Sequence, residues 1–93
     1  MADNPNIRKK ILFHGRVQGV GFRYMAMHYA SSLGLTGWVK NESNGTVSME
    51  VQGRASGIER LLEALSLRPY VSIEWMDAEE IPLVEEERRF RIR

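Results

Sequence analysis

The run from Gly15 to Arg23 concentrates the residues of this chain that could do chemistry. Three glycines, Gly15, Gly19 and Gly21, fall within seven positions, after an apolar segment and before one with helical spacing. Glycines let successive backbone N–H groups point into one concavity, and a helix N-terminus adds free N–H groups and the positive end of its dipole. Arg23 adds a cation whose forked donors suit phosphate oxygens. The run therefore predicts a small anion-binding cup, best suited to a phosphoryl group.

A second polar position is Asn41, at the end of the segment Gly37–Asn41. The segment has strand character up to Lys40, and Asn41 opens a turn that runs to Gly45. Because the strand before the cup and the strand before Asn41 are expected in one sheet, the Asn41 carboxamide is predicted to reach the rim of the cup. Two segments far apart in the sequence would then converge on one site, which packing alone does not require.

Two common phosphate-binding motifs are excluded. The run lacks the Gly-Lys-Ser/Thr ending of a Walker loop, and Tyr24 stands where a dinucleotide fingerprint has its third glycine. The chain has no cysteine, which excludes a phosphocysteine intermediate and thiolate metal sites. His14 and His28 lie on different predicted elements and the carboxylates show no convergent spacing, so no metal or cofactor is expected. A catalytic base at His14, next to the cup, is a less favoured alternative to a surface or packing role.

Hydrophobic periodicity predicts the elements that must position these residues. A strand is predicted from Ile7 to Phe13, after a flexible tail at residues 1–6. Apolar residues at helical spacing predict a helix from Phe22 to Leu33, directly after the cup. The cup therefore lies between the end of a strand and the start of a helix.

Four further strands and a second helix complete the predicted order. Ser56 and Glu59 fit a capping box at the start of that helix, which is predicted to end before Pro69. The further strands are predicted over Thr36–Lys40, Thr46–Gln52, Val71–Met76 and Phe90–Ile92. The order βαββαβ predicts an α+β fold, a ferredoxin-like two-layer sandwich with an antiparallel sheet, both helices on one face and a short extra C-terminal strand.

Composition limits the class of protein. Residues 7–93 are expected to form a single domain, and 13 basic against 12 acidic residues give a net charge of +1, which argues against nucleic-acid binding by general electrostatics. The basic clusters at Arg8–Lys10 and Arg88–Arg93 are interpreted as solvated faces. No signal peptide is expected, since the first six residues are polar, and no apolar run approaches the roughly 20 residues that span a bilayer. A cytoplasmic monomer without a membrane partner is expected.

The chain resembles the acylphosphatase family. Gly15–Arg23 matches the first signature of that family, and Gly37–Asn41, followed by Gly45, Val47 and Gly53, matches the second. The order of elements agrees, and the resemblance covers nearly the whole chain. It implies hydrolysis of small-molecule acyl phosphates to a carboxylate and inorganic phosphate, by direct attack of a water molecule and without a metal ion or cofactor. Inorganic phosphate is then expected both as the product and as an inhibitor.

The resemblance also implies a role for each matched residue. Arg23 binds the phosphoryl group and Asn41 orients the attacking water, while Gly15 and Thr46 support the loop and the asparagine. The backbone N–H groups that cradle the phosphoryl oxygens belong to Gln18, Gly19, Val20, Gly21, Phe22 and Arg23. Because a carboxylate is a good leaving group, positioning and charge stabilisation suffice, and no strong general acid is required.

Two alternatives from other classes remain open at the level of sequence. A non-catalytic phospho-ligand-binding or regulatory domain would keep the cup and lose turnover, and RNA-recognition modules share the order of elements. The strand Thr46–Gln52 has no aromatic residue on which a base could stack, which disfavours the second. Glu42 would weaken phosphate binding if its carboxylate faced the cup, although a turn residue more often faces solvent.

Overall fold

A computed structural model describes residues 5–93 of the chain. The elements are β1 (Asn6–Arg16), α1 (Phe22–Ser32), β2 (Thr36–Asn41), β3 (Val47–Arg54), α2 (Ala55–Ser66), β4 (Ser72–Ile81) and β5 (Phe90–Ile92). The predicted βαββαβ order with an extra C-terminal strand is confirmed. Strand β1 starts at Asn6, one residue before the predicted start, and the rest of the predicted tail, apart from Pro5, lies outside the described residues.

The five strands form one sheet in the order β4-β1-β3-β2-β5. Strands β1 to β4 pair antiparallel as predicted, whereas β5 runs parallel to β2. In the register of the central strands, Met49 of β3 lies between Ile11 of β1 and Val39 of β2. Because side chains alternate across a strand, all three point to the same face of the sheet, and all three are fully buried.

Both helices cover that one face. Helix α1 buries Phe22, Ala26 and Ala30, which are spaced four residues apart, and α2 buries a similar stripe that ends at Leu61 and Leu65. These side chains form one hydrophobic core with the buried face of the sheet. The prediction of a ferredoxin-like two-layer sandwich is therefore confirmed, and residues 5–93 place no helix on the opposite face of the sheet.

Several element boundaries differ from the prediction, and the differences in α2 and β4 have a clear physical reason. The capping box was wrong: α2 begins at Ala55, so Ser56 lies inside the helix, and Arg54 occupies the cap position without a side-chain hydrogen bond. The reason is that β3 runs directly into α2 without a turn. Strand β4 extends five residues beyond Met76, to Ile81, because its pairing with β1 continues as far as Arg8. Backbone pairing sets its length, since most of its side chains are exposed.

Arg8 belongs to the first basic cluster, and its side chain is buried. The interpretation of that cluster as a solvated face was therefore wrong for this residue. Only 2% of Arg8 is exposed, and its Nε donates to the Glu50 carboxylate at 2.9 Å. Its two terminal nitrogens donate to both carboxylate oxygens of Glu87, at 2.7 and 3.2 Å. The paired carboxylates offset the desolvation of the guanidinium and tie the C-terminal segment to the sheet.

This ion pair predicts a pH-dependent stability. Burial alone would raise the pKa of Glu87, but hydrogen bonds from Arg8 and Thr36, together with the charges of Arg8 and Arg91, outweigh it and hold the pKa below its ordinary value. The carboxylate therefore stabilises the fold fully above the unfolded pKa of about 4.5, and this stabilisation disappears as the pH falls through the lower folded pKa. We expect Glu87→Gln to cost about 1–3 kcal/mol in urea unfolding at pH 7. The deficit should shrink on acidification, and a constant deficit would contradict the assignment.

Candidate active site

The loop at residues 17–21 joins the end of β1 to the start of α1. Gly19 and Gly21 have φ angles of 72° and 78°, in the left-handed region that glycine adopts without strain. Gly21 caps α1 without any side-chain hydrogen bond, and the first turn of the helix carries no acidic residue. The first backbone N–H groups of the helix have no acceptor within it. The loop and helix therefore present free donors and positive potential in one place.

A cavity of about 190 Å³ opens at this point. Its lining consists of Val17, Gly19, Gly21, Phe22, Arg23, Tyr24, Asn41 and Ile92. Roughly six water molecules occupy this volume in the liquid, at about 30 Å³ each. The cavity is therefore larger than a phosphoryl group alone. Of the sequence-predicted residues, Arg23, Asn41 and three cradle positions meet at this cavity, whereas Gln18, Val20, Gly15 and Thr46 lie outside its lining.

Arg23 is the charged side chain of this cavity. It is half-buried, and it forms neither an ion pair nor a hydrogen bond with any other residue between 5 and 93. Its position in the first turn of α1 places it beside the positive end of the helix dipole, where a cation is unfavourable without a bound anion. Both features make the cavity a receptor for an anion.

Asn41 is the last residue of β2 and lies on the helix side of the sheet, like Val39 two residues before it. Its carboxamide oxygen, Oδ1, is buried and has no hydrogen-bond partner within the described part of the chain. Buried polar atoms nearly always have a partner, and leaving one without costs about 1–3 kcal/mol. An acceptor that is unsatisfied beside an anion-binding cup is suited to a donor that arrives with the ligand, such as a water molecule.

The side chain of Gln18 fastens the cup to the turn that follows Asn41. Its Nε2 donates to the carbonyl oxygens of Glu42 and Thr46, at 2.7 and 2.8 Å. The Glu42 backbone N–H donates to the same Thr46 carbonyl at 2.9 Å. Sequence reasoning assigned only the backbone of Gln18 and missed this bridge. The available signal was an uncharged polar side chain within a run of otherwise glycine, apolar and arginine residues.

Gly15 and Thr46 lie behind the cup. Gly15 has a φ of 124° at an irregularity in the pairing of β1 with β4, and a Cβ there would lie 2.1 Å from the Ser72 carbonyl oxygen. Only glycine fits that close approach. The Thr46 backbone N–H and hydroxyl both donate to Oδ1 of Asn44, at 3.1 and 2.6 Å, and so close the turn after Asn41.

Glu42 and His14 are directed away from the cavity. The Ser48 hydroxyl donates to the Glu42 carboxylate, and Ser48 lies on the face of the sheet without helices, so this carboxylate does not oppose a bound anion. His14 stacks on Trp75 at 4.2 Å, and its Nε2 lies 2.8 Å from an Asp77 carboxylate oxygen. Within residues 5–93, no group of three or more histidine, aspartate or glutamate side chains is placed to hold a metal ion.

Tyr24 and Ile92 line the cavity, and sequence reasoning missed both. Tyr24 follows Arg23 on α1, and Ile92 belongs to β5, where it is in register with Val39 of β2. Helical spacing placed Tyr24 off the core face and next to Arg23, and this could have indicated that it lies near the cup. Ile92 had none, because only the parallel pairing of β5 with β2 brings the end of the chain to the cup.

Fold and site together define a class of protein. A two-layer βαββαβ sandwich carries an amide-lined cup, an unpaired arginine and an unsatisfied carboxamide at one cavity, and this is the equipment of a small phosphoryl-group-binding domain. The family model described as Acylphosphatase matches residues 9–92. The chain belongs to the acylphosphatase family.

Individual relatives agree with that placement. The chain is 42% identical to an acylphosphatase of Geobacillus kaustophilus over 86 residues, which cover 91% of this chain and 92% of that protein. It is 40% identical to an acylphosphatase of Rhizobium etli over 93 residues, covering 99% and 98% of the two chains. A solved acylphosphatase from Coxiella burnetii superposes with a TM-score of 0.85 at 37% identity, covering 96% of this chain and 94% of that one.

The comparisons confirm the sequence-based prediction of a catalytic acylphosphatase and give no support to a non-catalytic binding domain. The protein is accordingly an enzyme of the hydrolase class. Among the residues that the structure describes, no helix is long and apolar enough to cross a membrane.

Proposed function

We propose that the protein hydrolyses the carboxyl–phosphate bond of acyl phosphates at the cavity between the cup, Arg23 and Asn41. The observation that supports this most is the coincidence of an unpaired guanidinium and an unsatisfied carboxamide oxygen at one amide-lined cavity. The first is complementary to a phosphoryl anion, and the second to a water molecule. Hydrolysis needs both of these bound side by side.

The cup and Arg23 bind the phosphoryl group. The backbone N–H groups of residues 18–23 and the Arg23 guanidinium donate hydrogen bonds to its non-bridging oxygens. Phosphoryl transfer passes through a loose transition state in which charge is spread over these oxygens. Donors that are fixed before the reaction stabilise that charge without reorganisation. Fixed amides and one cation supply the required charge stabilisation, so the proposed mechanism needs no metal ion.

Asn41 positions the nucleophile. Its Oδ1 accepts a hydrogen bond from the water, whose oxygen then attacks phosphorus while the bond from phosphorus to the acyl oxygen breaks. The leaving carboxylate takes the bonding electron pair and, being a weak base, needs no proton. An amide is a poor proton acceptor, so the water proton passes to a phosphoryl oxygen. The products are a carboxylate and inorganic phosphate.

Gln18, Gly15 and Thr46 act as positioning residues. The Gln18 side chain holds the cup and the turn after Asn41 at a fixed separation, through the two carbonyl oxygens that it bridges. Gly15 permits the close approach of β1 to β4 behind the cup, and Thr46 closes the turn. Catalysis by positioning tolerates errors of only about 1 Å, which gives these contacts their importance.

The remaining features of the proposal concern the molecule as a whole. Residues 7–93 act as one domain, as a monomer in the cytoplasm, on small-molecule acyl phosphates and without a nucleic-acid or membrane partner. The near-neutral charge of +1 argues against a nucleic-acid partner, and the match of the family model over residues 9–92 supports a single domain that acts on acyl phosphates. Inorganic phosphate, which the cup holds as product, is expected to inhibit competitively.

The direct test is hydrolysis of benzoyl phosphate by the purified protein in the presence of EDTA. We expect turnover at the same rate with and without the chelator, followed as loss of substrate absorbance, with competitive inhibition by phosphate. Loss of activity in EDTA and its recovery with Mg²⁺ would contradict the metal-independent mechanism. Absence of turnover, with phosphate still bound, would instead favour a binding domain.

A further inference from the structure

The lining of the catalytic cavity divides into a buried floor and an exposed mouth. On the floor, Val17 and Phe22 are 1% and 2% exposed, so they offer almost no surface to a ligand. At the mouth, Tyr24 is 64% exposed and Ile92 is 37% exposed. Exposed large apolar side chains beside a functional cavity have surface available for contact with a ligand. Neither residue has a role in the phosphoryl chemistry proposed above.

The substrate must extend from the floor to the mouth. Its phosphoryl group is held by the backbone of the cup, and the cavity of about 190 Å³ is larger than that group requires. The acyl group is bonded to the phosphoryl oxygen and therefore projects away from the amide-lined floor. Its neighbours on the way out are Tyr24, carried by α1, and Ile92, carried by β5.

The charges of the cavity restrict the acyl group further. Arg23 is the one charged side chain that the described part of the chain contributes to the lining, and the phosphoryl group engages it. Among residues 5–93, the lining offers no second cation to a carboxylate on the acyl group, and the Tyr24 hydroxyl is its one polar side-chain group that is assigned neither to the phosphoryl group nor to the water. A neutral apolar or aromatic group, by contrast, buries surface against Ile92 and stacks on the Tyr24 ring.

We propose that Tyr24 and Ile92 form the acyl subsite and make this enzyme selective for acyl phosphates with neutral aromatic or bulky aliphatic acyl groups. The proposal rests on the proposed function, since it places the phosphoryl group in the cup. Tyr24 and Ile92 determine specificity on the leaving-group side, whereas Arg23 and Asn41 act on the part that all acyl phosphates share.

The experiment compares benzoyl phosphate with acetyl phosphate in each variant. We expect Tyr24→Ser and Ile92→Thr each to lower kcat/KM for benzoyl phosphate about fivefold to tenfold, and for acetyl phosphate by no more than about twofold. Dividing each value by that of the unchanged protein cancels the different intrinsic reactivities of the two substrates. Threonine keeps the β-branching that favours the short strand β5, so Ile92→Thr preserves the fold.

Two further variants separate the subsite from general damage. Tyr24→Phe keeps the ring and should retain the benzoyl preference, whereas Leu67→Ser removes an apolar side chain that is 77% exposed outside the cavity and should change neither substrate. Binding of benzylphosphonate and methylphosphonate by calorimetry provides a readout without turnover, and only the former should weaken in Tyr24→Ser.

Each outcome has one meaning. Equal losses for both substrates in Tyr24→Ser and Ile92→Thr, or no loss for either, would overturn the acyl subsite while the activity of the unchanged protein still stands. Failure of the unchanged protein to hydrolyse either substrate would instead overturn the proposed function. Losses confined to benzoyl phosphate and benzylphosphonate, with unchanged inhibition by inorganic phosphate, support the proposal.

Discussion

Arg23→Ala is expected to abolish both hydrolysis of benzoyl phosphate and binding of inorganic phosphate, the second measured directly by calorimetry. The loss in kcat/KM should reach roughly 10³–10⁵-fold, the range seen when an arginine that stabilises a transferring phosphoryl group is removed. The physical reason is that, among residues 5–93, Arg23 is the sole charged side chain of the cavity lining, and it is half-buried without a partner. No neighbouring side chain can replace its charge or its forked donors.

Two control variants test whether the effect is specific to the guanidinium of Arg23. Arg16→Ala removes the same charge from an exposed position at the end of β1, outside the cavity, and should leave kcat/KM within about twofold, because exposed charges near a site are screened. Arg23→Lys keeps the charge but loses the fork, and should show an intermediate loss. Normal binding of inorganic phosphate by Arg23→Ala, measured by calorimetry on protein with an unchanged circular dichroism spectrum, would remove Arg23 from the site.

The parts of this structure that could be predicted from the sequence are those set by local rules. The glycines of Gly15–Arg23 need backbone geometry that few other residues tolerate, so their spacing indicated a cup directly before a helix. The alternation in Thr46–Gln52 and the helical spacing after Phe22 predicted elements whose order defines the fold. The placement of Asn41 was predictable because the strand that it ends was expected in the same sheet as the strand before the cup.

The parts that could not be predicted depend on distant partners. Burial of Arg8 requires Glu50 and Glu87, which lie 42 and 79 residues away in the chain, and a basic residue in a charged segment gives no sign of them. Ile92 reaches the cavity only through the parallel pairing of β5 with β2. The same applies to the start of α2, where direct continuation from β3 overrode a local capping signal at Ser56.

Asn41→Ala is expected to separate catalysis from binding. Without Oδ1 the water loses the acceptor that orients it, and kcat should fall roughly 10²–10³-fold, as when one oriented polar group is removed from an active site. The inhibition constant of inorganic phosphate should change by no more than about threefold, because Arg23 and the amides of the cup remain. Steady-state kinetics with benzoyl phosphate, with and without added phosphate, measure both quantities in one experiment.

Two further variants decide what Asn41 contributes. Ser43→Ala truncates an exposed side chain in the same turn and should leave both quantities unchanged, which excludes a general effect of altering the turn. Asn41→Asp keeps the shape but places a negative charge beside the phosphoryl group, so it should weaken phosphate inhibition as well as kcat. If Asn41→Ala instead weakened phosphate binding and left kcat intact, the carboxamide would act as a ligand of the anion. The water would then need another acceptor at the cavity. The unsatisfied Oδ1 of Asn41 would instead accept a hydrogen bond from a protonated oxygen of the phosphoryl group.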